Sequence, residues 1–262
     1  VTDVSVIPID YADLWTMKWL AQYDPRWTPV VEECTKMMID SLIPSSDQFW
    51  NSYLQDKKIF SGDFEYRDTK QGQMIKLIQT AWIGIHLARI GTAEAKAAAQ
   101  KMLDFYKSMY NKTCNEPICG KFPCIGSHPW LNHLCATLTC RIPEYTTPDG
   151  KEIDYCKDTL FQNTLLEGES RIYSQLARVA YYLGGADNIA FADRLINERI
   201  LTDQVTQQHI DTILVGVKDA QKLKGAIGIA AAKDGDAEAW NNLESLIGLL
   251  IQQGSSVVKG VW

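Results

Sequence analysis

Met74, Leu77, Ile78, Ala81, Trp82, Ile85 and Ala88 recur at steps of three and four residues, the spacing that gathers side chains on one face of an α-helix. Gly91 stops that run, and Thr92 can cap a second one whose apolar face is Ala95, Ala98, Ala99, Met102, Tyr106 and Met109. Two such helices separated by a single glycine predict an antiparallel helical hairpin with a tight turn. The pattern returns over 156–183 through Leu160, Leu165, Ile172, Leu176, Val179 and Leu183, closed by Gly184 and Gly185, and again at Trp240, Leu243, Ile247, Leu250 and Ile251. An all-α fold is expected, a bundle of roughly seven to ten amphipathic helices.

Shorter signals fill in the bundle. Asp10 can cap a helix over residues 11–22, and Thr28 followed by Pro29 opens one that must end before Pro44. Ser45 and Gln48 have capping-box spacing, which predicts a third helix through Phe49, Trp50, Tyr53 and Leu54. Asp187 can cap a helix over 188–201, and Thr202 can open another running to about Leu223. Residues 1–9 are β-branched and carry Pro8, so they read as an extended N-terminal arm; 254–262 read as an extended C-terminal tail. Their backbone must pair with each other, with the 111–156 loop, or with a neighbouring subunit. Residues 1–262 read as a single helical domain.

Five of the seven cysteines, Cys114, Cys119, Cys124, Cys135 and Cys140, fall within 27 residues, and Cys156 follows soon after. The stretch 111–156 holds five prolines and little periodic hydrophobicity, so burial alone cannot order it. Closing a loop of about 15 residues covalently contributes about 3 kcal/mol through the unfolded state. Zinc is disfavoured although His128 and His133 lie in the cluster, because gaps of four, four, ten, four and fifteen residues contain no Cys-x-x-Cys pair. A catalytic thiolate is disfavoured because neighbouring thiols would exchange with it. A disulfide-rich insertion is therefore expected, with an extracellular, periplasmic or cell-surface location. An N-terminal Val1 fits a processed secretory chain. Cys34, beside Val30, Val31, Met37 and Met38, is either an inert buried thiol or the far end of a bridge. Asn111-Lys112-Thr113 is a glycosylation acceptor pattern.

Composition narrows function only by exclusion. A net charge of −6 with scattered basic residues disfavours nucleic acid. No run of eighteen uncharged apolar residues exists to span a bilayer, since Lys76 and Arg89 interrupt the most apolar region. Glycine-rich phosphate loops are missing, and no cofactor or metal is expected. His86 and His209 read as satisfied core or edge histidines, and Glu32 and Glu33 as first-turn charges suited to the helix dipole. The first expectation is a protein that acts by binding or self-assembly, such as a structural subunit of a surface appendage, filament or secretion apparatus. Phe122, Trp130 and Leu131 on the stapled loop would then be its binding residues. The alternative is an all-helical secreted hydrolase with a pocket between the hairpins and the loop. Glu167, Glu169 and His133 are its candidate residues, although a helix points Glu167 and Glu169 to different sides.

Overall fold

The computed structural model describes residues 5–62, 75–110, 145–146, 148–149, 169–212, 214–228 and 239–254. Strand β1 (Val6–Pro8) leads through a 3-10 turn, Ile9–Tyr11, into helix α1 (Leu14–Leu20), and α2 spans Trp27–Asp40. Strands β2 (Ser52–Leu54) and β3 (Ile59–Ser61) follow, and β4 (Ile75–Lys76) runs straight into α3 (Leu77–Ile90). Helix α4 spans Ala93–Tyr110, and β5 (Tyr145–Thr146) pairs with β4. The second half holds α5 (Glu169–Leu183), α6 (Ala186–Leu195) with a π-helical extension Ile196–Ile200, the short α7 (Gln207–Thr212), and α8 (Ala239–Gln252). The described residues are thus mostly helical, as expected, with two small antiparallel sheets added.

Helix α3 is the centre. Eleven of its residues are buried, from Leu77 to Ile90, and α1, α2, α4 and α5 all pack on it. The sequence suggests one buried face; the structure buries every side, which is what a helix apolar all round requires. Gly84 faces Met102 of α4 and Val179 of α5, so that a Cβ there would run into the flexible end of Met102 and lie 3.4 Å from Val179 Cγ2. Gly91 ends α3 in the left-handed region at φ 85°, and the Ala95 amide donates to Thr92 Oγ1 at 3.3 Å, so the hairpin turn is built as the sequence predicts. Tyr106 crosses from α4 and donates its hydroxyl to Leu77 O at 2.8 Å, which satisfies the buried phenol and ties α4 to the first turn of α3. Helix α5 lies between α3 and α8 and forms a second hairpin with α6.

Three expectations are corrected. Residues 45–54 are not a helix: the Ser45 hydroxyl donates to Pro148 O at 2.9 Å rather than capping, Asp47 turns left-handed at φ 54°, and Phe49 bridges back to Leu42. Tyr53 and Leu54 then alternate in β2, where Tyr53 faces Ile7 on one side and Phe60 on the other. The described part of the N-terminal arm consequently pairs with β2, a partner the sequence does not suggest, in the register Val6–Leu54, Ile7–Tyr53 and Pro8–Ser52. Residues 202–223 are not one helix either. Left-handed Gly216 and Asp219 break the run, and Val205, Ile210 and Leu214 form a satellite cluster of their own.

The disulfide framework finds no support. No disulfide occurs among the described residues, and Cys34 is a free, half-buried thiol whose pKa is raised by burial and by Glu33, which makes it inert. Cys114, Cys119, Cys124, Cys135, Cys140 and Cys156 lie outside the described residues, as do Asn111, Phe122, Trp130, Leu131, His133, Glu167 and the tail from 255 onward. Glu169 opens α5. Among the described residues no helix is long and apolar enough to cross a membrane.

Candidate active site

Asn51 is fully buried between the β-meander and the start of α3. Its Nδ2 donates to Lys76 O at 3.2 Å, its Oδ1 accepts from the Lys76 amide at 2.6 Å, and its backbone carbonyl accepts from the Ile9 amide at 2.9 Å. One residue, through its side chain and its backbone carbonyl, therefore ties the 9–13 segment to the start of α3. Between those two edges lies a pocket of about 420 Å³.

Helix α3 supplies one wall through Ile78, Trp82 and His86, which are four residues apart and share a face, with Gln79 beside them. The opposite wall is Asp10, Tyr11 and Asp13, and Lys76 and Arg171 add cationic groups. Trp82 is held on several sides. Its ring stacks on His86 at 5.7 Å, the Arg178 guanidinium lies 5.2 Å from its centroid, and its Nε1 donates to the Gln175 side-chain oxygen at 2.5 Å. Arg178 in turn donates to Glu244 Oε2 on α8 at 2.7 Å.

Asp13 caps α1. Its Oδ1 accepts from the Trp15 and Thr16 amides, both at 3.2 Å, and its Oδ2 accepts from the Thr16 hydroxyl at 2.6 Å. Burial pushes this carboxyl up, but the Thr16 hydroxyl and amide, the His86 ring and the Trp15 amide outweigh it and hold Asp13 below its ordinary range. It is ionised at neutral pH. His86 is the reverse case. Burial pushes its pKa down to about 4 against the pull of Asp13 and the Asp10 carbonyl, with Arg178 and Arg89 pushing the same way. Its ring is neutral. Nε2 lies 3.2 Å from the Asp10 carbonyl, and a carbonyl only accepts, so Nε2 carries the proton and Nδ1 keeps its lone pair. That lone pair faces Asp13 Oδ1 at 3.9 Å. A water between two acceptors at this separation can donate one proton to each.

The sequence reads Asp10 as a cap, Trp82 as core and His86 as a satisfied core or edge histidine. The structure moves the cap to Asp13, three residues on, and brings Asp10, Trp82 and His86 together with it. The legible signal is Trp82 and His86 one helical turn apart on a helix with no outer face. A larger cleft of about 760 Å³ between α1, α2 and the α3–α4 turn is lined by Lys18, Glu32, Lys36, Asp40 and Glu94, with no aromatic ring or histidine, and Lys36 pairs with Asp40. It offers no comparable chemistry. Among the described residues no three of histidine, cysteine, aspartate and glutamate converge as a metal-ligand set.

The sequence matches no protein-family profile and no curated protein. The fold does have solved counterparts. One is a novel alpha-amylase from Clostridium perfringens, 16% identical, with a TM-score of 0.57 over 93% of this chain and 54% of that one. Another is the unsaturated glucuronyl hydrolase of Bacillus sp. GL1, responsible for the degradation of glycosaminoglycan, 15% identical, with a TM-score of 0.56 over 100% of this chain and 62% of that one. The chain spans between about half and three fifths of their length. This likeness is one of fold: the two chains are an alpha-amylase and a glucuronyl hydrolase, and nothing in the described residues supports the expected structural, self-assembling binding role.

Proposed function

We propose that the chain is a helical glycoside hydrolase whose active site is the pocket between Asp10–Asp13 and Trp82–His86. The observation that carries this reading is the convergence of two aspartates, a neutral histidine and a pinned indole in one pocket of about 420 Å³, on a fold shared with an alpha-amylase and a glucuronyl hydrolase. Glycoside hydrolysis uses a pair of carboxyl groups, one to activate water or attack the sugar and one to protonate the departing oxygen.

In this assignment Asp13 is the base. Hydrogen bonds keep it ionised, and it shares with His86 Nδ1 the space in which a water can donate to both. The water oxygen forms the new bond to the anomeric carbon, its proton passes to Asp13, and the glycosidic C–O bond breaks. Asp10 is the acid that returns a proton to the leaving oxygen. Trp82 offers a flat apolar face to the sugar ring, and Lys76 and Arg171 can receive its polar substituents. His86 acts by position, holding the Asp10 backbone through Nε2 while Nδ1 orients the water.

The test is a panel of aryl glycosides and soluble polysaccharides incubated with the full chain, read as new reducing ends. Turnover of at least one substrate is expected, falling at least a thousandfold in Asp10→Asn and in Asp13→Asn. If no glycoside is turned over, or if both variants keep full rate, the assignment is wrong.

A further inference from the structure

Helix α1 begins at the pocket and carries a row of aromatic rings away from it. Tyr11 lines the pocket yet is 78% exposed. Trp15 and Trp19 follow at four-residue spacing on one face of α1, and the chain keeps turning helically to Tyr23, whose amide donates to Leu20 O at 2.9 Å. Trp19 is 49% exposed and Tyr23 72%, while Trp15 between them and Tyr11 is half-buried. Rings of this size are seldom left so open, and an exposed apolar cluster of this kind marks a binding surface. The core is not their destination, because α1 buries Leu14 alone and turns that side inward.

The rings are held in place. Trp19 and Tyr23 meet edge to face at 4.9 Å. Trp15 has the Arg89 guanidinium 4.4 Å from its centroid and the Lys18 ammonium at 6.0 Å, and that ammonium also donates to Ile90 O at 3.4 Å. Preset aromatics lose little freedom when a ligand arrives. Four residues of α-helix advance about 6 Å along the axis, which is comparable to one pyranose unit in an extended chain. The rim between the rings is polar, with Thr16, Lys18 and Gln22 all exposed. Flat rings flanked by hydroxyl, amide and ammonium groups suit the two chemistries of a sugar, an apolar C–H face and a hydroxyl edge.

We propose that Tyr11, Trp15, Trp19 and Tyr23 form a platform for an extended polysaccharide, so that the substrate is a polymer fed along α1 into the pocket. This rests on the glycoside hydrolase reading, and continuity through Tyr11 and the Asp13 cap is what joins platform to pocket.

The experiment is native gel electrophoresis of the full chain through gels containing soluble starch or hyaluronan, with parallel kinetics on the same polymer and on a short aryl glycoside. Wild-type protein is retarded by one of the polymers. Trp19→Ala/Tyr23→Ala loses most of that retardation, its KM for the polymer rises about tenfold or more, and its kcat on the aryl glycoside is unchanged. Trp19→Phe, which keeps a ring, restores most of the retardation. Asp13→Asn is retarded like wild type and does not cleave. Retardation that depends on Trp19 and Tyr23 without hydrolysis of any glycoside would uphold the platform and remove the hydrolase reading. The platform is overturned if no polymer retards the wild type, if the double variant is retarded equally, or if the substitutions instead dissociate an oligomer.

Discussion

The Arg178 guanidinium donates to the Glu244 carboxylate at 2.7 Å, with side chains 5% and 3% exposed, and this pair joins α5 to α8 directly behind Trp82. Burial raises the Glu244 carboxyl above its ordinary range in spite of the attraction of Arg178 and Arg171. Such a pair gains little over apolar packing, but breaking it strands a charge. Glu244→Ala should therefore cost about 3–5 kcal/mol, while Arg178→Met/Glu244→Leu costs less than either single change. Denaturant midpoints decide it. If Glu244→Ala unfolds with the wild type, the pair is not holding the two helices together.

Two helix glycines separate close packing from flexible filling. A Cβ at Gly248 would meet Ser174 Oγ at 2.5 Å and the Ser174 Cα at 3.6 Å, and that hydroxyl donates to Glu244 O. A Cβ at Gly84 would meet the flexible end of Met102. Alanine gains up to about 1 kcal/mol of helix propensity at either site. Overpacking costs about 1–3 kcal/mol where neighbours cannot move. Gly248→Ala should destabilise, and Gly84→Ala should be closer to neutral. Equal thermal midpoints for the two variants would contradict the packing described.

His86 fixes a pH dependence whose sign follows from its pKa. In the unfolded chain an imidazole titrates near 6.5, and in the fold near 4. Between these values the unfolded chain binds a proton that the folded chain refuses, so stability is fully present above about 6.5 and falls as the pH drops toward 4. The loss approaches about 3 kcal/mol at 1.36 kcal/mol per pH unit. Glu244, raised by burial, slopes the opposite way above the ordinary carboxylate range, and Asp13, held low, adds loss only at lower pH. The wild-type minus His86→Asn difference isolates the histidine: it should narrow steadily from pH 7 to pH 4. A difference independent of pH would mean His86 is not buried neutral.

Asp13 serves α1 and the pocket at once, and two substitutions pull these roles apart. Asparagine caps a helix as well as aspartate does, whereas alanine loses about 1 kcal/mol of capping. Asp13→Asn should keep the wild-type midpoint and lose turnover, while Asp13→Ala loses both. If Asp13→Asn remains fully active, the carboxylate is only a cap.

The helical body is legible in the chain because burial writes a period into it. The α3–α4 hairpin, Gly91 and the Thr92 cap can all be read from 74–109, and so can the C-terminal ends of α2 and α5, although α2 starts at Trp27 after Arg26 rather than under a Thr28 cap. The β-meander is not. Phe49, Trp50, Tyr53 and Leu54 fit a helix as well as a strand over so short a span, and only pairing with Val6–Pro8, over forty residues away, decides between them. The pocket is hidden for a related reason. Asp10 and Asp13 look like helix starts, and His86 looks like packing, until Asn51 brings the two segments face to face.

The most direct test is hydrolysis carried out in ¹⁸O-labelled water, with the released sugar weighed by mass spectrometry for wild type and Asp13→Asn. One labelled oxygen in each new reducing end from the wild type, and none above background from a folded Asp13→Asn, is the expected result. Unlabelled product, no product from any glycoside, or equal labelling by the variant would contradict a pocket in which Asp13 and His86 deliver water to a sugar.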